Sequence, residues 1–108
     1  KVLNNFIAAS SVVSVRYVLH HAQKFELDID VLFKTIDTSS GQTWFGTNRA
    51  DIEWFKENFE NDNTMGILKK DVEAYVDSFE NESDLDNFVS GELSASIIKA
   101  IENMPVTK

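Results

Sequence analysis

Residues 1–25 read KVLNNFIAASSVVSVRYVLHHAQKF, and this stretch decides the fold. Its apolar positions Val2, Leu3, Phe6, Ile7, Ala9, Val12, Val13, Val18, Leu19, Ala22 and Phe25 recur at three- and four-residue spacing without a proline or glycine between them, which is the period of an α-helix. They cover more than one stripe, so the helix is expected to be enclosed on most sides and to form the spine of the domain. A helix from Val2 to Phe25 would be about 36 Å long. The stretch is interrupted by Asn4, Asn5, Ser10, Ser11 and Ser14 and closed by Arg16. It therefore falls short of the roughly 20 apolar residues of a membrane span, and no membrane partner is expected. It also opens on Lys1 with the apolar run already under way, and reads as a piece cut from something longer.

The same spacing continues downstream. Glu26-Leu27-Asp28 is a break, and Asp28 or Asp30 can cap a short helix carrying Val31, Leu32 and Ile36. Thr38-Ser39-Ser40-Gly41 ends it. Gln42 to Gly46 reads as a loop holding Trp44 and Phe45, after which Thr47 can cap a helix with Ile52, Phe55 and Phe59 on one face. Asn61-Asp62-Asn63-Thr64 is a polar turn. A helix from Gly66 to Phe79 is expected to turn Leu68, Val72, Tyr75, Val76 and Phe79 inward. A last helical region carries Leu85, Phe88, Leu93, Ile97, Ile98 and Ile101, with Gly91 as an internal break and Pro105 as its stop. No alternating strand pattern appears, so the expected fold is all-α, a single domain of five or six helices around the long first one.

Composition bounds the function. The chain has 108 residues, no cysteine, and 10 Lys and Arg against 18 Asp and Glu, for a net charge of −8. One domain fits this length. Absence of cysteine excludes disulfides, thiolate metal sites and a cysteine nucleophile, and makes a reducing, cytoplasmic setting the expectation. A surface this acidic repels phosphate backbones, so nucleic acid is not an expected partner. The acidity is concentrated: residues 51–92 hold thirteen acidic and three basic groups. Within that block Lys69 and Lys70 stand together in the first turn of a helix, against the helix dipole, which suggests an anionic contact.

Several motifs fail. Asn61-x-Asn63-x-x-Gly66 resembles the front of a calcium loop but offers Met65 and Val72 where further oxygen ligands belong. His20 and His21 are adjacent on a helix and point about 100° apart, wrong for one metal. No metal site is expected. No G-x-G pair exists, so neither a dinucleotide fingerprint nor a P-loop lies within the chain. Asn81-Glu82-Ser83 is a formal glycosylation sequon with nothing else pointing to secretion. One pairing survives beside the lysines: Lys1 and Asn5, spaced i, i+4, put an ammonium and an amide on one helix face. Such a pair can hold a hydroxyl or carbonyl oxygen between a proton donor and a hydrogen-bond donor.

Taken in order, the strings KVLNNFIAAS at 1–10, Leu27-Asp28, SSGQTW at 39–44, Asn48-Arg49 and NTMGILKKDV at 63–72 resemble the C-terminal helical domain of the β-hydroxyacid dehydrogenases. This is the 3-hydroxyisobutyrate, tartronate semialdehyde and glyoxylate reductase group, related to 6-phosphogluconate dehydrogenase. The resemblance spans about residues 1 to 76. It implies that Lys1 is the catalytic acid/base, that Asn5 orients the substrate, and that Lys70 and Asp71 lie against an NAD or NADP cofactor. It further implies a small hydroxyacid substrate, an N-terminal Rossmann domain outside this chain, and a homodimer. The family usually has glycine where this chain has Glu26, and some members carry an aromatic residue where it has Asn63. The competing reading is a non-catalytic helical dimerisation or interaction module that keeps the fold without the enzyme.

Overall fold

Every apolar side chain that α1 (Val2–Lys24) buries falls on one broad face: Ala9, Val12, Val13, Val15, Leu19 and Ala22. The structure, a computed structural model, describes residues 1–80 and 91–107, and among these it contains five α-helices and no strand. By length and composition alone α1 could cross a membrane; in the fold, its buried face is the wall on which the other elements pack. Small residues at 9, 12 and 13 let α4 (Thr64–Tyr75) and α5 (Glu92–Glu102) approach closely. Met65, Leu68 and Val72 from α4, with Ile97, Ala100 and Ile101 from α5, complete one core cluster. Further along α1, Val15 and Leu19 meet Phe33 of α2 (Ile29–Ile36) and Phe55 in a second cluster.

Between the clusters lies Arg16, buried to 2% exposure. Its Nη1 donates to the Glu57 carbonyl at 2.8 Å and its Nη2 to the Pro105 carbonyl at 2.6 Å. The guanidinium carbon stands 5.8 Å from the Phe55 ring centroid. One side chain of α1 thereby fixes two segments that have little regular structure of their own. The Thr107 amide donates to the Lys56 carbonyl at 2.9 Å and closes the same junction. Desolvation by burial lowers the Arg16 pKa to about 10, so the group stays cationic at neutral pH.

Local signals account for most helix ends. Asp28 caps α2 by accepting from the Val31 amide at 3.1 Å. At the end of α1 the Leu27 amide donates to the Ala22 carbonyl and the Glu26 amide to the Gln23 carbonyl, the paired bonds of a Schellman stop. That stop demands a left-handed residue, and Glu26 supplies it at φ +58°. The expected glycine is missing, but the turn forms anyway at a steric cost. Gly91 meets the same demand without that cost, at φ +89° before α5.

Four expectations need correction. α1, expected to be enclosed on most sides, buries one broad face and leaves Leu3, Ile7, Tyr17 and Val18 exposed. Thr43, not Thr47, is a cap: it accepts from the Gly46 amide at 2.9 Å, so that 44–48 forms α3 (Trp44–Asn48) rather than a loop. The expected helix through Ile52, Phe55 and Phe59 is replaced by two 3₁₀ turns, Arg49–Asp51 and Glu53–Lys56. The reason lies in packing: Trp54 joins the first cluster while its neighbour Phe55 joins the second, which a single apolar helix face cannot do. Finally, the α4 ladder widens into a π turn over Val76–Glu80, and Phe79 is left 40% exposed rather than inward. In α5, Ile97 and Ile101 are buried as expected but Leu93 is exposed. Leu85, Phe88 and the 81–83 sequon lie outside the described residues.

Two stability measurements check these points. Glu26→Gly is expected to stabilise the fold by about 1 kcal/mol in urea denaturation, because it relieves the left-handed strain. Arg16→Met removes the desolvated charge but leaves the part-buried Glu57 and Pro105 carbonyls without their donor, and is expected to cost about 1–3 kcal/mol. An unchanged midpoint for Arg16→Met would contradict the role given to that side chain.

Candidate functional site

α1 begins at the Lys1 carbonyl, which accepts from the Asn5 amide at 2.9 Å. That bond closes the first helical turn and puts the Lys1 and Asn5 backbones one turn apart at the start of α1. Lys1 is exposed and Asn5 half-buried. The Asn5 side-chain oxygen accepts from Asn4 Nδ2 at 3.4 Å, which leaves the Asn5 amide hydrogens directed away from that contact and available to a ligand oxygen. An ammonium and an amide donor one helical turn apart are the chemistry expected from the sequence at this pair.

The neighbouring element is α4, running antiparallel to α1. Its far end is fixed by Phe6 and Tyr75, whose rings stack at 4.1 Å with an interplanar angle of 20°. Its near end starts beside Glu57, the residue Arg16 holds. Asp71 lies one turn before Tyr75 and Lys70 beside it. Lys1 lies about 7.5 Å along the axis on one side of the Phe6–Tyr75 stack and Asp71 about 6 Å on the other, at 1.5 Å per residue. The two expected pairs therefore occupy the same half of the α1–α4 pair, about 13 Å apart along it. No hydrogen bond or ion pair joins them among the described residues.

The adjacent lysines separate into different roles. Lys69 Nζ pairs with Glu102 Oε2 at 3.3 Å and stands 5.6 Å from the Phe59 ring centroid, tying α4 to α5. It is a structural contact and not a cofactor candidate. Lys70 is exposed and has no ion pair among the described residues. In an acidic stretch it is a cation still available to a phosphate.

Asn63 and Gly66 are also settled by geometry. Asn63 caps α4 by accepting from the Gly66 amide at 3.2 Å, accepts from the Glu60 amide at 3.2 Å, and donates to the Asn58 carbonyl at 2.9 Å. Asn63 thus organises the turn into α4. A Cβ on Gly66 would fall 2.5 Å from the Glu60 carbonyl oxygen, so the turn folds back too tightly for any side chain there. His20 and His21 meet edge to face at 5.7 Å, and no group of three or more metal-ligating side chains occurs among the described residues.

The sequence reading missed a groove of 500 Å³ between α1 and α3, with Asn4, Ile7, Ser11, Thr43 and Trp44 among its lining residues. Trp44 is 66% exposed and touches Phe45 edge-on at 5.1 Å. The signal was present in Leu3 and Ile7, apolar positions on α1 that the buried face does not use.

Comparison with protein-family models gives a match over residues 1–104 to the family described as NAD-binding of NADP-dependent 3-hydroxyisobutyrate dehydrogenase. The chain belongs to this family. No curated protein and no solved structure matches the chain. Membership in the 3-hydroxyisobutyrate dehydrogenase family agrees with the resemblance carried by the five strings and with a nicotinamide dinucleotide as cofactor. It also makes the chain a member of a dehydrogenase-type oxidoreductase family.

The structural assignment of Asn63 has a direct check. Asn63→Ala is expected to lower stability by about 1–2 kcal/mol through loss of the cap, whereas Asn63→Asp, which keeps the accepting oxygen, should retain most of it. Thermal or urea unfolding of both variants measures the difference.

Proposed function

We propose that the chain is the C-terminal helical domain of an NAD(P)-dependent β-hydroxyacid dehydrogenase or reductase, working with an N-terminal Rossmann domain in the cytoplasm. The observation that carries the reading is the family match over 1–104 together with the one-turn juxtaposition of Lys1 and Asn5 at the exposed start of α1. Lys1 is the catalytic acid/base: its ε-amino group takes the hydroxyl proton of the substrate in oxidation and returns one to the carbonyl oxygen in reduction. Asn5 donates to the same oxygen and holds it against Lys1. When bound, the nicotinamide supplies the hydride chemistry. Lys70, exposed and without an ion pair among the described residues, contributes charge toward its phosphates. Asp71, half-buried one turn before Tyr75, borders the same site.

The substrate class is a small 3-hydroxyacid or its semialdehyde. A homodimer is part of the reading, and the surface that supports it is the unused apolar face of α1 with Leu3, Ile7 and Val18 exposed, continued by Trp44 across the groove. A face of this kind at the spine of a domain favours association.

Kinetics of the full-length protein test the assignment. Lys1→Ala is expected to lower kcat by on the order of a hundredfold or more with little change in cofactor affinity. Lys70→Ala is expected to raise the KM for NAD(P) while leaving kcat within about threefold. Unaltered turnover in the Lys1 variant removes its catalytic role and favours the non-catalytic interaction module.

A further inference from the structure

We propose that the cavity between the C-terminal half of α1 and the turn at 103–105 binds a small organic carboxylate. The site is independent of the redox chemistry above, since Arg16 is fifteen residues along α1 from Lys1, about 23 Å at the helical rise.

Arg16 is a cation with no carboxylate partner among the described residues; the ion pair found there joins Lys69 and Glu102 instead. Both of its hydrogen bonds go to neutral backbone carbonyls. Its Nε is shut from solvent and has no partner. A cation held in low dielectric without a counter-charge is stabilised by any anion that can come close.

The space beside it suits one. A cavity of 290 Å³ is lined by Arg16, Tyr17, His20, His21, Met104 and Pro105, among others, and by no acidic residue. The adjoining groove adds Lys24, again with no acidic residue in its lining. In a chain of net charge −8, a lining that carries Arg16 and Lys24 beside the polar imidazoles of His20 and His21, with no carboxylate among its described residues, is a local departure from the acidity elsewhere. Its volume is at the small end of ligand pockets. The imidazoles and the Tyr17 hydroxyl supply donors for a carboxylate head, while Met104 and Pro105 supply an apolar wall for a short carbon chain. That apolar wall favours a carboxylate with a body over a bare phosphate. Because Pro105 both lines the cavity and is held by Arg16, an occupant there also fastens the C-terminal segment to α1.

The probe is sodium butyrate, titrated into the full chain at constant ionic strength and followed by NMR at the Met104 methyl and the Tyr17 ring. Inorganic phosphate and sodium chloride run as parallel titrations. Saturable shifts with butyrate at a Kd of about 1 mM are expected, weakened about tenfold or more in the His20→Gln/His21→Gln double variant. Those two histidines are exposed, so the variant is expected to fold, which its unchanged unfolding midpoint verifies. Shifts that do not saturate, that chloride reproduces, or that persist unchanged in the double variant would overturn the proposal. Phosphate binding as tightly as butyrate would overturn the carboxylate assignment.

Discussion

A single guanidinium in the middle of α1 holds together parts of the chain that would otherwise have little reason to meet. The segment around Glu57 is two 3₁₀ turns, and the segment around Pro105 has left α5. Neither has a regular ladder to bind it. Arg16 gives each a charged donor at short range, and hydrogen bonds to charged groups are stronger than neutral ones. Burying that charge is costly, which is visible in its lowered pKa. The two carbonyl bonds and the Phe55 ring offset the cost. The apolar clusters on either side of Arg16 then pack against segments whose positions are already defined.

Fixing the middle of α1 has consequences at both of its ends. Toward the N-terminus, α4 is anchored beside Glu57 through Asn63 and runs back along α1 to the Phe6–Tyr75 stack. This places Lys70 and Asp71 on the same half of the domain as Lys1 and Asn5. The proposed catalytic end therefore depends on a junction more than 20 Å away along the helix, estimated from the helical rise. Toward the C-terminus, the same junction leaves a basic-lined cavity. One rigid helix thus carries two chemically different ends.

The all-helical fold was legible because α1, α2, α4 and α5 each carry a periodic apolar pattern. The Asp28 cap is written in residue type alone. Residues 42–59 were not legible in the same way. There, Trp54 and Phe55 are neighbours in sequence but belong to different clusters, and periodicity cannot express a chain that feeds two cores in turn. The inward orientation expected of Phe79 failed for a related reason, since the π turn over Val76–Glu80 shifts its residues off the α-helical period. At the candidate site, the one-turn spacing of Lys1 and Asn5 at the start of α1 follows from local sequence alone. The separation of Lys69 from Lys70 was not, because it depends on Glu102 and Phe59, which only the tertiary fold brings near. Arg16 reads in sequence merely as the residue that ends an apolar run; its burial depends on carbonyls 41 and 89 residues away.

The proposed role of Lys1 is proton transfer rather than holding the helix terminus in place. Chemical rescue separates these roles most directly. In the full-length protein with Lys1→Gly, turnover of a 3-hydroxyacid with NADP would be measured against increasing methylammonium at constant ionic strength and pH. A proton-transfer role predicts that turnover falls on substitution and is restored in proportion to the added amine, because a free amine can occupy the space and perform the same transfer. A variant that keeps its turnover, or one whose lost turnover no amine restores, would contradict it.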